Sequence, residues 1–93
     1  MRELKKEFIG RGQVRGFLFS QQKKSDYAYI YAVDTGVSTH FEVFKRKENS
    51  RFDCVSYPSN NAFGKWAKTT SDYDTALYYF DEYTLLGEEG QDD

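Results

Sequence analysis

The chain has a single cysteine, Cys54, so no internal disulfide can form. It has a single histidine, His40, which rules out a metal centre built from several imidazoles or from a Cys–His cluster. No apolar run approaches the ~18 residues needed to span a bilayer. The opening Met1-Arg2-Glu3-Leu4-Lys5-Lys6-Glu7 carries acids and lacks the apolar core of a secretory signal. No glycine loop is followed by the Lys-Ser/Thr pair that cradles phosphate, and no serine nucleophile sits near a base. These absences lead us to expect a cytoplasmic, non-membrane protein with no cofactor and no metal.

Basic residues are missing from one end altogether. All 13 Lys and Arg lie in residues 1–68, beside 7 of the 15 acids, so that part sums to +6. Residues 69–93 hold the other 8 acids and no Lys or Arg. A mildly basic body followed by an acidic end suggests a binding surface and a segment that competes for it.

Aromatic residues are plentiful. They make up 18% of a chain whose apolar content is only 39%, with 8 Tyr, 8 Phe and one Trp. Each ring removes about 150–250 Å² from water, so Phe and Tyr are expected to carry most of the burial in one modest domain.

Along the chain, residues 1–10 are charged and expected to be loose. Gln13–Gln22 reads as a first strand, with Arg15, Phe17 and Phe19 on one face. The second strand has the clearest period of two: Tyr27, Tyr29, Tyr31 and Val33 point one way, and Ala28, Ile30 and Ala32 the other. Asp34-Thr35-Gly36 marks a hairpin turn. Ser38–Lys47 is a third strand and Phe52–Tyr57 a fourth, closed by Pro58. Residues 62–69 are either a short fifth strand or a single helical turn. Ser71, with Asp74 as its capping-box partner, opens a helix whose stripe is Tyr73, Ala76, Leu77, Phe80 and Tyr83 or Thr84. Gly87 is expected to end it, leaving residues 88–93 as an acidic disordered tail.

The expected fold is α+β: an antiparallel four- or five-stranded meander sheet with one C-terminal helix packed on one face, forming a single domain over 1–87. The helix stripe should cover the Ala28/Ile30/Ala32 side. The tyrosine side is then left partly open, as a platform for a ligand.

Several motifs carry resemblances. Ala32-Val33-Asp34-Thr35-Gly36 is similar to the active-site string of aspartic proteases, which implies a homodimer sharing a proton between two aspartates. The supporting apolar-apolar-Gly segment of that family is absent here, and a hairpin turn is the plainer reading. Arg15-Gly16-Phe17-Leu18-Phe19 resembles part of the RNA-recognition motif, but on the first strand and without a preceding helix. Gly12-Gln13-Val14-Arg15, Tyr27–Tyr31 and Asp34–Gly36 resemble the cold-shock OB-fold, with its Gly-aromatic-Gly-Phe core replaced by Asp26-Tyr27-Ala28-Tyr29. Asn60–Ala67, taken with Phe41–Lys45, Val55–Pro58 and Tyr73–Phe80, resembles a set of small bacterial proteins of unassigned activity from mobile elements of Bacteroidetes-type genomes. That last resemblance covers residues 12–83. It implies a compact meander with a helix and transfers no catalytic residue.

The function expected is a small non-enzymatic binding or accessory domain, a monomer or weak homodimer. Its site would be the tyrosine face, with Arg15, Phe17, Phe19, Tyr27, Tyr29 and Tyr31 as stacking or contact groups and Lys45, Arg46 and Lys47 as their basic neighbours, joined by Lys23, Lys24 and Arg51. The partner is nucleic acid, through base stacking and phosphate contacts, or another protein. A further alternative is that the acidic helix and tail mimic a nucleic-acid backbone. His40 is read as a packing residue and Cys54 as a small core residue.

Overall fold

A computed structural model describes residues 1–90. The elements in chain order are β1 (Glu7–Ile9), β2 (Leu18–Lys24), β3 (Ala28–Asp34), β4 (Thr39–Lys45), β5 (Glu48–Asn49), β6 (Cys54–Val55), β7 (Ala67–Thr70) and α1 (Tyr73–Gly90), with 3₁₀ turns at Gly12–Val14 and Asn60–Ala62. Five strands form one antiparallel sheet in the order β1-β2-β3-β4-β7, and β5 and β6 form a separate two-stranded ribbon. The α+β meander with a single packed helix is therefore the architecture of this chain.

The strand pattern follows from side-chain alternation. On β3, Ala28 and Ile30 lie under the helix with Val43 of β4, and they meet Ala76, Phe80 and Tyr83 of α1. Small and β-branched side chains here let a helix approach the sheet closely. Asp72 precedes the helix and caps it: its Oδ2 accepts from the Thr75 N–H at 2.9 Å and from Thr75 Oγ1 at 2.8 Å. Ser71, the expected cap, lies one residue too early. Asp72 wins because its carboxylate reaches the third residue on, and those hydrogen bonds lower its pKa.

Gly87 does not end the helix, which runs on to Gly90. A Cβ at Gly87 would sit 2.4 Å from Cγ of Tyr27. The glycine is a packing notch into which the Tyr27 ring fits. Residues 88–90 of the expected tail are thus helical, and 91–93 lie outside the described residues.

Three expected elements differ. The first strand begins at Leu18, because residues 10–17 are used in a turn that folds back so that Glu7–Ile9 can pair with Leu18–Ser20. The expected fourth strand shrinks to Cys54–Val55, paired with Glu48–Asn49 outside the main sheet. Residues 62–69 divide between the end of a 3₁₀ turn and the start of β7, which pairs with β4.

The N-terminus is not loose. Arg2 N–H donates to Asp53 O at 2.9 Å and Val55 N–H to Arg2 O at 2.8 Å. Leu4 and Phe8 pack on the core. No helix among the described residues is long and apolar enough to cross a membrane.

Candidate binding cleft

The tyrosine face is a core, not a platform. Tyr29 and Tyr31 are 0% exposed, and Phe19 is 3% exposed. Phe44 joins them from β4, its ring 5.3 Å from that of Tyr29 and 4.8 Å from that of Tyr57. Phe8 stacks on Phe19 at 4.8 Å. The cover consists of residues 1–9 on one side and of the β5–β6 ribbon with the segment through Tyr57, Phe63 and Trp66 on the other. Rings of this size, pointing the same way from adjacent strands, exclude water most fully when a second layer closes over them.

The tyrosine hydroxyls are satisfied inside that layer. Tyr31 donates to Lys5 O at 2.6 Å and accepts from Gln21 Nε2 at 2.9 Å. Tyr29 donates to the Glu3 carboxylate and accepts from Arg46 Nη1 at 2.6 Å. Arg46 Nη1 also lies 2.7 Å from Glu3 Oε2, and Lys24 Nζ lies 3.6 Å from it. Burial alone would raise the Glu3 carboxyl, but donation from Tyr29 and Arg46 and the nearby positive charges bring it down to about 2. Burial and the same Glu3 push the Tyr29 phenol well above its ordinary range.

The sequence-derived site residues therefore do not share one surface. Phe19, Tyr29 and Tyr31 are interior, and Phe17 packs against them partly buried. Tyr27 is half-buried under Gly87 on the helix side. Lys45 lies over the Tyr83 ring at 5.4 Å and Lys23 over Phe80 at 5.1 Å, both on the helix side. Arg46 and Lys24 are tied to Glu3. Lys47 covers Trp66 at 5.8 Å, and Arg51 covers Phe52 at 5.3 Å. Arg15 is exposed in the 10–17 turn. Through residue 90, the acidic helix packs on the sheet face opposite the tyrosines, so its acids do not compete for that face.

Asp34 is used locally in the β3–β4 turn. Its Oδ1 accepts from Gly36 N–H at 2.8 Å, while Thr35 N–H donates to Ser38 O at 3.0 Å. The Asp-Thr-Gly string accordingly serves as a hairpin turn here.

The irregular cover leaves an opening that sequence reading missed. A cleft of about 630 Å³ lies between β1 with the 10–17 turn and the segment after β6. Its apolar walls are Phe8, Ile9, Val14, Tyr57, Pro58 and Phe63, and Gln13, Ser59 and Asn60 also line it, with Asn60 Nδ2 donating to Gln13 Oε1 at 3.0 Å. Ile9 is 59% exposed and Val14 36% exposed, so apolar surface remains in water at the mouth. Gly10 shapes the wall: a Cβ there would meet Val14 O at 2.3 Å, and its absence lets the turn close back onto β1. Phe19 and Glu42 line the bottom, both well covered.

Glu42 is already engaged. Tyr57 donates its hydroxyl to Glu42 Oε1 at 2.6 Å, and His40 Nε2 lies 3.3 Å from Glu42 Oε2. Burial and the adjacent Glu42 charge push the Tyr57 phenol far upward, so it stays a donor. Lys5 and Arg11 stand at the mouth, exposed, and pair with no carboxylate among the described residues. No group of His, Cys, Asp and Glu able to hold a metal ion occurs among the described residues.

The signal for the cleft was present in the chain as aromatic residues assigned to neither sheet face, Phe8, Tyr57 and Phe63, the first of them beside a glycine-rich turn. The cleft can enclose an apolar side chain, and its charged rim can orient what that side chain belongs to. No protein family, curated protein or solved structure matches this chain.

Proposed function

We propose that this chain is a small non-enzymatic binding domain, and that it engages a partner protein by taking an apolar side chain of that partner into the cleft between β1 and Phe63. The observation that supports this reading is the cleft itself: about 630 Å³, aromatic-walled, with half-exposed Ile9 and Val14 at its mouth. Recessed apolar pockets that receive one anchor are where binding energy concentrates in protein interfaces. A protein partner is favoured over nucleic acid because base stacking needs rings open to solvent, and Tyr29 and Tyr31 have none of their surface exposed.

The test is an amide-shift titration of the full chain with anilinonaphthalene sulfonate as an apolar probe, beside short single-stranded DNA and RNA at low and near-physiological salt. The dye should shift residues 8–14 and 57–63 and leave the helix unmoved. Val14→Asp, at an exposed wall position, should abolish those shifts without unfolding the chain. Steeply salt-dependent binding of the oligonucleotides, with no dye response in the cleft, would return the assignment to nucleic acid.

A further inference from the structure

We infer that the partner segment which enters the cleft is acidic, with one apolar anchor directed inward and its carboxylates held at the mouth by Lys5 and Arg11. This rests on the cleft being the binding site and adds the chemistry of its occupant.

Charge placement carries the argument. Lys24, Arg46 and Lys68 each lie within 3.6 Å of a carboxylate in the folded chain. Lys45 and Lys47 lie over aromatic rings. Lys5 and Arg11 do neither among the described residues, as is true also of Arg2, Lys6, Arg15 and Lys65, but these two alone of that group line the cleft, from opposite sides of β1 in sequence. Two unpaired cations over an apolar hollow complement an anion attached to an apolar body.

The interior fixes the orientation. Glu42 holds a negative charge at the bottom, with its two oxygens occupied by Tyr57 and His40. An entering carboxylate would meet like charge there and lose its water as well, so the acid stays outside and only the apolar group descends. A cationic anchor has the reverse problem: it would find Glu42 below but would have to pass Lys5 and Arg11 and shed its water to reach it. A peptide is favoured over a small amphiphile because Ile9 and Val14 leave apolar surface outside the hollow, against which a chain can continue past the anchor.

Three blocked peptides provide the probes: Glu-Asp-Phe-Asp-Glu, its basic counterpart Lys-Lys-Phe-Lys-Lys, and Glu-Asp-Ala-Asp-Glu. The acidic Phe peptide should bind and shift the amides of Ile9, Val14 and Phe63. Loss of the ring should weaken binding about tenfold or more. The basic peptide should fail. Reversing charge in a Lys5→Glu, Arg11→Glu double variant should cost the acidic peptide at least about tenfold and admit the basic one. Both positions are exposed, so circular dichroism of the variant should match the parent.

Equal binding of the basic and acidic Phe peptides, or an unchanged affinity in the double variant, overturns the acidic assignment and leaves the cleft as the site. Absence of any shift with all three peptides and with the dye removes the cleft reading itself. Tighter binding of a single-stranded oligonucleotide of equal charge, lost in the double variant, overturns the peptide assignment in favour of nucleic acid.

Discussion

The two faces of the central sheet are covered in different ways. On one, a single helix lays Ala76, Phe80 and Tyr83 onto Ala28, Ile30 and Val43, so that the helix's rings meet small and β-branched side chains of the sheet. On the other, Tyr29, Tyr31, Phe44 and Phe19 are roofed by pieces drawn from residues 1–9 and 46–66, chain with almost no regular structure. The helical cover spends its backbone hydrogen bonds internally and seals the face. The irregular cover must satisfy its backbone and the tyrosine hydroxyls by separate local contacts, and it leaves a gap between two such pieces, which meet beside it at Phe8 with Tyr57 and Gln13 with Asn60. Binding surfaces are expected where the cover is discontinuous, and the cleft lies in that gap.

The sharpest way to break this contrast is to empty each layer. Phe44→Ala removes a fully buried ring that touches Tyr29, Tyr31, Tyr57 and Trp66, and should cost about 5 kcal/mol. Phe80→Ala on the helix side should cost nearer 3 kcal/mol, because a helix can settle toward the sheet and refill part of the space. Urea unfolding of both variants measures the order. A larger loss at Phe80 would mean that the helix, not the aromatic layer, is the principal core.

A smaller effect tests how tightly the helix end is seated. Gly87→Ala gains about 1 kcal/mol of helix propensity, yet forces a methyl into the Tyr27 ring at a cost of about 1–3 kcal/mol. A net loss near 1 kcal/mol is expected, which lowers the melting temperature by about 4–8 °C. Tyr27→Ala should cancel the added penalty of Gly87→Ala. A melting temperature raised by Gly87→Ala alone would show that the last turns are not held against Tyr27.

The smallest effect separates the roof from the rest by pH. Glu3 has a folded pKa of about 2, below its ordinary 4.5, so its stabilisation is present above pH 4.5 and lost as pH falls through about 2. Its side chain is 39% exposed, which limits the contribution to about 1 kcal/mol. Glu3→Gln should cost that amount at neutral pH and progressively less as pH falls through about 2. Equal offsets between the variant and parent stability curves at both ends of that range would exclude the carboxylate as the source.

The helix, β3 and β4 were legible in the sequence because each repeats a period: 3.6 residues in Ala76, Phe80 and Tyr83, two residues in Tyr29, Tyr31 and Val33. The meander and the helix face followed from those periods. The fate of the tyrosine face did not, because an alternating row of rings reads the same whether it meets water or a roof. The roof was hidden for the same reason it leaves a cleft: chain without a period gives no sign of which side it presents. Pairing of Tyr29 with Glu3 and of Tyr31 with Lys5 O links residues 26 apart, and nothing local announces either bond. Aromatics in the weakly patterned segments were the available sign, since Phe8, Tyr57, Phe63 and Trp66 had to be buried somewhere.

The clasp between Arg2 and the Asp53–Val55 segment also orders events during synthesis. At about 5–20 residues per second, Arg2 waits roughly 3–10 seconds for the stretch that anchors it. Through that interval Leu4 and Phe8 have no roof to belong to, and the Glu3 and Lys5 acceptors of Tyr29 and Tyr31 are not yet anchored. Residues 1–9 thus precede by some fifty positions the stretch that fastens them, and the tyrosine face stays unroofed until that stretch has been made.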